Sequence, residues 1–203
     1  MIIPSLLEPI VDRALAEDLA GDDVTTSATV DPSTQAVAHA VAKSGLVVCG
    51  GQVFETVFRR VDPSLVVSVV RPDGTLAARG DAIWTVRGSA RSILLGERTA
   101  LNFVQRLSGI AALAHKFVAA LPEGSAARIT DTRKTTPGLR ILERYAVRVG
   151  GAHNHRDALG SAVLIKDNHI EAAGGITAAV TRARKYAPHT SRIEVEDRTA
   201  PSM

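Results

Sequence analysis

The sequence predicts an α/β protein whose two halves are built differently, and three observations lead to this prediction. Hydrophobic residues make up 45% of the 203 residues, enough for a buried core, whereas aromatic residues make up only 3%. Such a core of Val, Ile, Leu and Ala is typical of α/β folds. Short strand-like runs crowd the first half, and in the second half single strands alternate with helices, which indicates a parallel sheet with right-handed crossovers.

The first half is predicted to be an α+β region with short strands. Apolar side chains recur at helical spacing over residues 5–20, so an amphipathic helix is expected there, followed by a polar loop at 21–26. The remaining predicted elements are strands at 36–42, 45–49, 65–70 and 82–86, a short helix at 52–60, and a turn at Asp73 and Gly74. Cys49 lies in an apolar run, which favours a small buried residue over a reactive thiol.

The second half begins with a long helix, predicted at 89–120 with room for a break at Ser108 and Gly109. After it, strands are expected at 127–131, 161–165 and 192–196, and helices at 138–149 and 175–186. Pro137 suits the first position of a helix, with Thr136 as its cap. Three strand units cannot close a barrel, and residues 197–203 show no pattern of a closing helix. The sequence therefore predicts a truncated, open barrel.

Cationic side chains are concentrated near the junctions of the second half. Residues 131–169 contain seven Arg or Lys against four Asp or Glu, a surplus of three that equals the formal net charge of the whole chain. Arg133, Lys134, Arg156 and Lys166 each follow an apolar strand or a Gly-rich turn. In parallel α/β folds the ligands bind at this edge, and cations beside a helix N-terminus favour anions. The mild net charge does not indicate a nucleic-acid partner.

Other charged side chains of residues 131–196 can be explained by structural roles instead of ligand binding. A solvated, paired helix face is expected for four of them: Arg140, Glu143, Arg144 and Arg148. His153 and His155 resemble a metal pair, but no carboxylate cluster accompanies them, which argues against metal binding. Glu194 and Glu196 alternate onto one face of a strand, where they either bind Mg²⁺, stabilise a developing cation, or pair with Lys or Arg.

No apolar run approaches the roughly 20 residues that span a bilayer, and no signal-peptide pattern follows Met1. A cytoplasmic protein without a membrane partner is therefore expected.

Six motifs of this sequence resemble, in order and in spacing, those of the quinolinate phosphoribosyltransferase family. They are 97–102 (ERTALN), 108–111 (SGIA), 131–140 (DTRKTTPGLR), 145–148 (YAVR), 154–156 (NHR) and 164–169 (LIKDNH). The resemblance extends to Glu196 and is specific because the motifs are long and ordered. A related pyrophosphorylase found beside molybdate transport genes shares the central motif and is the nearest alternative.

The resemblance implies an N-terminal α/β sandwich at 1–106, including the start of the long linking helix, and a partial α/β barrel at 107–203 without its C-terminal strands. It also implies phosphoribosyl transfer from phosphoribosyl pyrophosphate to quinolinate with decarboxylation, in de novo NAD biosynthesis and with Mg²⁺. By the same match, the residues expected to bind the substrates are Arg98, Arg133, Lys134, His155, Arg156, Lys166 and Glu196.

Within that set the resemblance implies catalytic roles for Lys134, Lys166 and Glu196, the last on the metal or ribose side. Arg98 is expected to reach the site of a neighbouring subunit, so a homodimer or a dimer-based hexamer is implied. By the resemblance, the family's ribose 5-phosphate site lies in further strands, which are expected to be missing here. A weakly active or inactive remnant that acts at most as a dimer partner is therefore the alternative.

Overall fold

The computed structural model describes residues 2–21 and 23–196. They divide into two compact units, the first ending at Asn154 and the second beginning at His155. The first unit contains α1 (Pro4–Asp18), α2 (Val24–Thr29), β1 (Gln35–Val41), β2 (Leu46–Val47), α3 (Gly51–Val61), β3 (Val66–Val69), β4 (Leu76–Ala77), β5 (Ala82–Ser89), α4 (Ala90–Ala119) and α5 (Arg140–Val149). The second contains β6 (Val163–Ile165), α6 (Asp167–Ala173), α7 (Ile176–Tyr186) and β7 (Ile193–Val195).

An antiparallel sheet forms one layer of the first unit, with β5 between β1 and β3. The register of β1 and β5 runs from Gln35 opposite Ser89 to Val41 opposite Ala82. Along β1, exposed and half-buried side chains alternate, as expected of a strand with one face towards a core. A separate antiparallel pair joins β2 and β4.

Helices α1, α3 and α4 supply apolar side chains to the core beside the sheet. The few aromatic residues of the chain are concentrated here. Phe54 of α3 stacks on Trp84 of β5 with ring centroids 4.8 Å apart, and it meets Phe58 edge-on at 5.0 Å. The expected N-terminal sandwich of helices on a sheet is thereby confirmed.

Helix α4 runs without interruption over 30 residues, so the break allowed at Ser108 and Gly109 is wrong. Ser108 is buried and its hydroxyl accepts a hydrogen bond from the Cys49 amide (3.1 Å) and donates one to the Cys49 carbonyl (3.2 Å). Gly109 is exposed. Cys49 is fully buried, as predicted. Its burial, with a smaller contribution from the Asp73 charge, raises the pKa of the thiol far above its ordinary value.

The second unit contains the predicted parallel pair. Strands β6 and β7 align with Val163 opposite Ile193 and Ile165 opposite Val195, and helices α6 and α7 lie between them in the sequence. Helix α6 was not expected, and its N-terminal turn is closed by the Lys166 amide, which donates to Nδ1 of His169 at 3.0 Å. The prediction made for residues 197–203 falls outside the described residues.

Three local predictions are wrong. The strand expected at 127–131 is a single parallel bridge between Thr130 and His153. The loop expected at 21–26 contains the start of α2, because the Asp23 carboxylate accepts the Thr26 amide at 2.9 Å and caps a helix. Helix α5 begins at Arg140 rather than at Pro137, because Gly138 has a φ of +80°, which ends any helical path from Thr136.

Within residues 2–21 and 23–196, every helix is either too short or too polar to cross a bilayer.

Candidate functional site

The cationic loop, residues 132–136, joins the Thr130–His153 bridge to the turn before α5. Its entry is held by two backbone hydrogen bonds, from the Asp131 amide to the His153 carbonyl (3.1 Å) and from the His153 amide to the Ile129 carbonyl (2.9 Å). Inside the loop, the Lys134 amide donates to Oγ1 of Thr132 at 3.1 Å. These contacts give a solvent-facing segment a defined backbone path.

A buried ion pair stands at the entry of the cationic loop. Arg144 donates to Oδ1 of Asp131 at 3.2 Å, and only 12% and 6% of the two side chains are exposed. The Asn154 amide group donates to Oδ2 of Asp131 at 2.6 Å and to the Arg144 carbonyl at 2.9 Å, and its oxygen accepts from Arg148. Asp131 and Asn154 thus join two chain segments through one hydrogen-bonded network.

A second ion pair stands at the exit of the cationic loop. Arg106 of α4 binds Glu143 of α5 at 2.5 Å, and Glu143 has 9% of its side chain exposed. Burial acts to raise the pKa of Glu143, but hydrogen bonds from Arg106 and Thr136 outweigh it, so the pKa lies below its ordinary value. The predicted solvated helix face is therefore wrong for Glu143 and Arg144, because both find partners far away in the sequence.

The two predicted cations of the loop differ in exposure. Lys134 is exposed, whereas Arg133 is half-buried. The Nε atom of Arg133 is buried and has no hydrogen-bond partner among the residues that the structure describes. Nε of Arg71 in the first unit shares this condition, so the buried N–H of Arg133 does not by itself mark a ligand site.

Helix α5 is also fixed to the sandwich through a single carboxylate. Asp73 accepts the amides of Gly50 (2.9 Å) and Gly51 (3.0 Å) at the start of α3, and its Oδ2 accepts the hydroxyl of Tyr145 at 2.8 Å. Burial first, and the Asp73 carboxylate second, raise the pKa of Tyr145 well above its usual range. The phenol therefore stays a hydrogen-bond donor at any physiological pH.

Two acid–base pairs lie together in the second unit. Oε2 of Glu194 lies 2.8 Å from Nε2 of His155, and Nζ of Lys166 donates to Oε2 of Glu196 at 2.6 Å. Both glutamates are exposed on the same face of the strand region while Ile193 and Val195 are half-buried, as the alternation predicts. These contacts agree with the alternative that the two acids pair with basic side chains.

The other predicted residues occupy separate positions. Arg156 donates to the Ala162 carbonyl at 3.0 Å, which fixes its guanidinium within the second unit. Arg98 is exposed on α4. His153 is exposed as well, and among residues 2–21 and 23–196 no group of three or more His, Cys, Asp or Glu side chains stands close enough to hold a metal ion.

Two residues that shape the site escaped the sequence reasoning, Arg106 and the carboxylate role of Asp73, and Tyr145 entered it only as part of the motif 145–148. Arg106 lies on a polar helix face, where its charge has no distinguishing pattern. Asp73 was assigned to a turn, and nothing local indicates that its carboxylate binds a side chain 72 residues away. The motif 145–148 was the signal for Tyr145, and its contact with Asp73 was not foreseen.

Comparisons with known proteins match both parts of the chain to one family. Residues 23–108 match the N-terminal domain of quinolinate phosphoribosyl transferase, and residues 110–202 match its C-terminal domain. A probable nicotinate-nucleotide pyrophosphorylase (carboxylating) from Synechocystis is 42% identical over 94% of this chain. A protein of the same name from Bacillus subtilis is 40% identical over 97% of this chain and 68% of its own length.

A similar structure is the crystal structure of NadC from Streptococcus pyogenes, with a TM-score of 0.92 and 42% identity over 97% of this chain and 70% of that one. The nicotinate-nucleotide pyrophosphorylase from Francisella tularensis gives a TM-score of 0.91 at 36% identity. The chain spans 64% of the length of the Synechocystis protein and 55% of a quinolinate phosphoribosyltransferase from Nicotiana tabacum. With these matches over both domains, the chain belongs to the quinolinate phosphoribosyl transferase family.

Proposed function

We propose that this protein acts in the transfer of a phosphoribosyl group from phosphoribosyl pyrophosphate to quinolinate, which yields nicotinate mononucleotide, pyrophosphate and carbon dioxide. This places it in de novo NAD biosynthesis. Relatives named nicotinate-nucleotide pyrophosphorylase (carboxylating) support the proposal. The observation that carries it is the cationic loop, in which exposed Lys134 follows half-buried Arg133 and the entry is held by the Asp131–Arg144 ion pair.

Quinolinate suits this loop because it carries two adjacent carboxylates. A hydrogen bond between a cationic donor and a bound carboxylate contributes about 1.5–3 kcal/mol. The planar guanidinium of Arg133 can hold a carboxylate through two parallel hydrogen bonds, whereas Lys134 supplies a mobile point charge. The two cations thus offer both orientation and charge to an anionic ring.

The pairs of the second unit suit the ribose and pyrophosphate chemistry. As the bond from the ribose C1 to pyrophosphate breaks, its electron pair leaves with pyrophosphate and the quinolinate nitrogen bonds to C1. Lys166 would leave its ion pair with Glu196 and bind an arriving anion. The carboxylate of Glu196, no longer paired, would then stabilise the positive charge that develops on the ribose. His155 and Arg156 would add donors. Departure of the C2 carboxylate as carbon dioxide leaves an electron pair on the ring, which takes up a proton.

Mg²⁺ would enter with the phosphoribosyl pyrophosphate. It is usually bound through one or two carboxylates together with substrate phosphates, and it prefers oxygen ligands. Glu194 and Glu196 fit that limited role, because both are exposed carboxylates, one in β7 and one directly after it. Their chemistry suits a metal shared with phosphate rather than one held by the protein alone.

The expected oligomeric state and cellular location of the protein are part of the same proposal. Arg98 is exposed on α4, so it is accessible for the role of completing a site in a second subunit of a homodimer or a dimer-based hexamer. A cytoplasmic location suits the soluble substrates. The division into domains at 1–106 and 107–203 stays a prediction as well.

The substrate assignment is tested by titrating the protein with quinolinate, nicotinate and inorganic phosphate in a calorimeter. Quinolinate should bind more tightly than the other two, and Arg133→Ala should weaken it at least about tenfold, because a hydrogen bond to a charged group contributes about 1.5–3 kcal/mol. Arg79→Ala removes an exposed cation from another loop and serves as the control.

The outcomes separate three interpretations. Binding of quinolinate with formation of nicotinate mononucleotide, measured by chromatography, supports the full proposal. Equal binding of phosphate and quinolinate would indicate a general anion site, and binding without turnover would indicate a dimer partner without catalysis. Undiminished quinolinate affinity in Arg133→Ala would refute the role given to the loop.

A further inference from the structure

Three side chains from three segments meet at the exit of the cationic loop. Nε of Arg106 donates to Oε1 of Glu143 at 2.9 Å, and a terminal guanidinium nitrogen donates to the same oxygen at 2.5 Å. That nitrogen also donates to the hydroxyl of Thr136. The Thr136 amide donates to Oε2 of Glu143 at 3.2 Å. We name this group the exit clamp, and it consists of Arg106, Thr136 and Glu143.

The exit clamp differs from a surface ion pair in the burial and hydrogen bonding of its carboxylate. Glu143 has 9% of its side chain exposed and Arg106 has 47%, so the carboxylate is withdrawn from water while the cation bridges to the surface. Each carboxylate oxygen accepts at least one hydrogen bond. A Lys at 106 would keep the charge, but it lacks the planar fork that reaches Glu143 and Thr136 together.

The interior of the cationic loop has few hydrogen bonds to the rest of the unit. The Thr135 amide donates to the Arg133 carbonyl at 3.0 Å, and Nε of Arg140, at the start of α5, donates to Oγ1 of Thr135 at 3.1 Å. The entry is attached through Asp131, and at the exit the clamp attaches Thr136 to both α4 and α5. Because only one residue, Thr135, separates Lys134 from Thr136, a rotation at Thr136 would move the neighbouring cations.

We propose that Arg106 and Glu143 are positioning residues that act through Thr136 to hold Arg133 and Lys134 in the orientation that binds the anionic ring. The inference rests on the proposed function for the identity of the ligand, but its structural part does not depend on the ligand. Arg106 lies two turns along α4 from Arg98, so a single helix would carry both a substrate residue and a positioning residue.

The test combines hydrogen exchange with quinolinate binding. In Glu143→Gln and Thr136→Val, amide exchange in the peptide covering 132–136 should rise at least about tenfold, and the Kd for quinolinate should rise by a similar factor. Thr136→Ser restores the hydroxyl and should recover both values. Glu55→Gln removes the carboxylate of an exposed i,i+4 pair with Arg59 (2.7 Å) and should change neither value.

Each outcome decides the proposal. Unchanged exchange at 132–136 in both folded variants would overturn it. An equal rise of exchange throughout α4 and α5 would also overturn it, since that pattern means a general structural role. If Glu143→Gln does not fold, the Thr136→Val and Thr136→Ser pair decides alone, because it changes one hydroxyl. If the unmodified protein does not bind quinolinate, the proposed function fails, and the exchange data still decide whether the clamp orders the loop.

Discussion

Gly150 provides the sharpest test of how α4 and α5 pack. A Cβ added at this position would lie 2.3 Å from the carbonyl oxygen of Ala111 and 2.7 Å from Cβ of Ala114, both on α4. Ordinary contacts of an added Cβ are 3.4–4 Å, so the helices would have to separate by about 1 Å. The atom in the way belongs to the backbone, and no change of side-chain rotamer can relieve the clash.

The magnitude follows from two opposing effects. Overpacking of a close contact costs about 1–3 kcal/mol, and the backbone obstruction puts Gly150→Ala near the upper end at about 3 kcal/mol. Replacing Gly by Ala at a helical φ and ψ gains up to about 1 kcal/mol. The net loss is about 2 kcal/mol, which corresponds to a fall in Tm of about 4–8 °C for a unit of this size.

Gly109→Ala is the matched control on α4. Gly109 is helical and exposed, and no heavy atom lies within 4 Å of an added Cβ. Only the gain in helix propensity applies, so the Tm should rise by about 2–4 °C. Thermal unfolding followed by circular dichroism measures both variants. If Gly150→Ala melted at or above the temperature of the unmodified protein, the close packing of α5 on α4 would be wrong.

Three further predictions concern single side chains. Because burial raises the pKa of the Cys49 thiol, a thiol reagent at neutral pH should react at least about a hundredfold more slowly with the native protein than with the protein in guanidinium; equal rates would contradict the burial of Cys49. Tyr145→Phe removes the donor to Asp73 and should lower the free energy of unfolding by about 1–2 kcal/mol, whereas Tyr186→Phe, at a side chain that is 93% exposed, should leave it unchanged. The pKa of Glu143 is lower in the folded state than in the unfolded chain, so the contribution of its carboxylate to stability, about 1–3 kcal/mol, is present above the unfolded pKa and is lost as the pH falls through the folded pKa. Denaturant titrations of Glu143→Gln should therefore give a lower free energy of unfolding than the unmodified protein at pH 7, and the two should converge in acid. A difference that persists in acid would be inconsistent with an ionised Glu143.

Periodic patterns predicted the helices of this chain well, and the reason is local. The bounds of α3 (Gly51–Val61) and α4 (Ala90–Ala119) lie within a residue of the predicted 52–60 and 89–120, because an amphipathic stripe is contained in the segment itself. The expected strand at 127–131 failed for the opposite reason. An apolar run becomes a strand only when a neighbour pairs with it, and here only Thr130 meets a partner.

The sequence predicted which types of residue form the site, but it did not predict the ion pairs that hold the cationic loop in place. The cations of 131–169 are visible as a charge surplus in the sequence, and the structure places Lys166 beside Glu196. Burial of Glu143 was not predictable, because a charge pattern at spacings of three and four looks the same on a solvated helix. Its partner Arg106 lies 37 residues away, and only tertiary packing brings the two together.

The carboxylate of Asp73 also has a consequence for how the chain folds and can be divided. Its bonds to Gly50 and Gly51 close loops of 23 and 22 residues, whereas its bond to Tyr145 closes one of 72. Closing the shorter loops costs less entropy, so we expect the Asp73 carboxylate to cap α3 early in folding and to bind Tyr145 of α5 later. A fragment cut at the family boundary after residue 108 would keep Asp73 and lose Tyr145. We therefore expect the first 154 residues, rather than the first 108, to unfold as one cooperative unit.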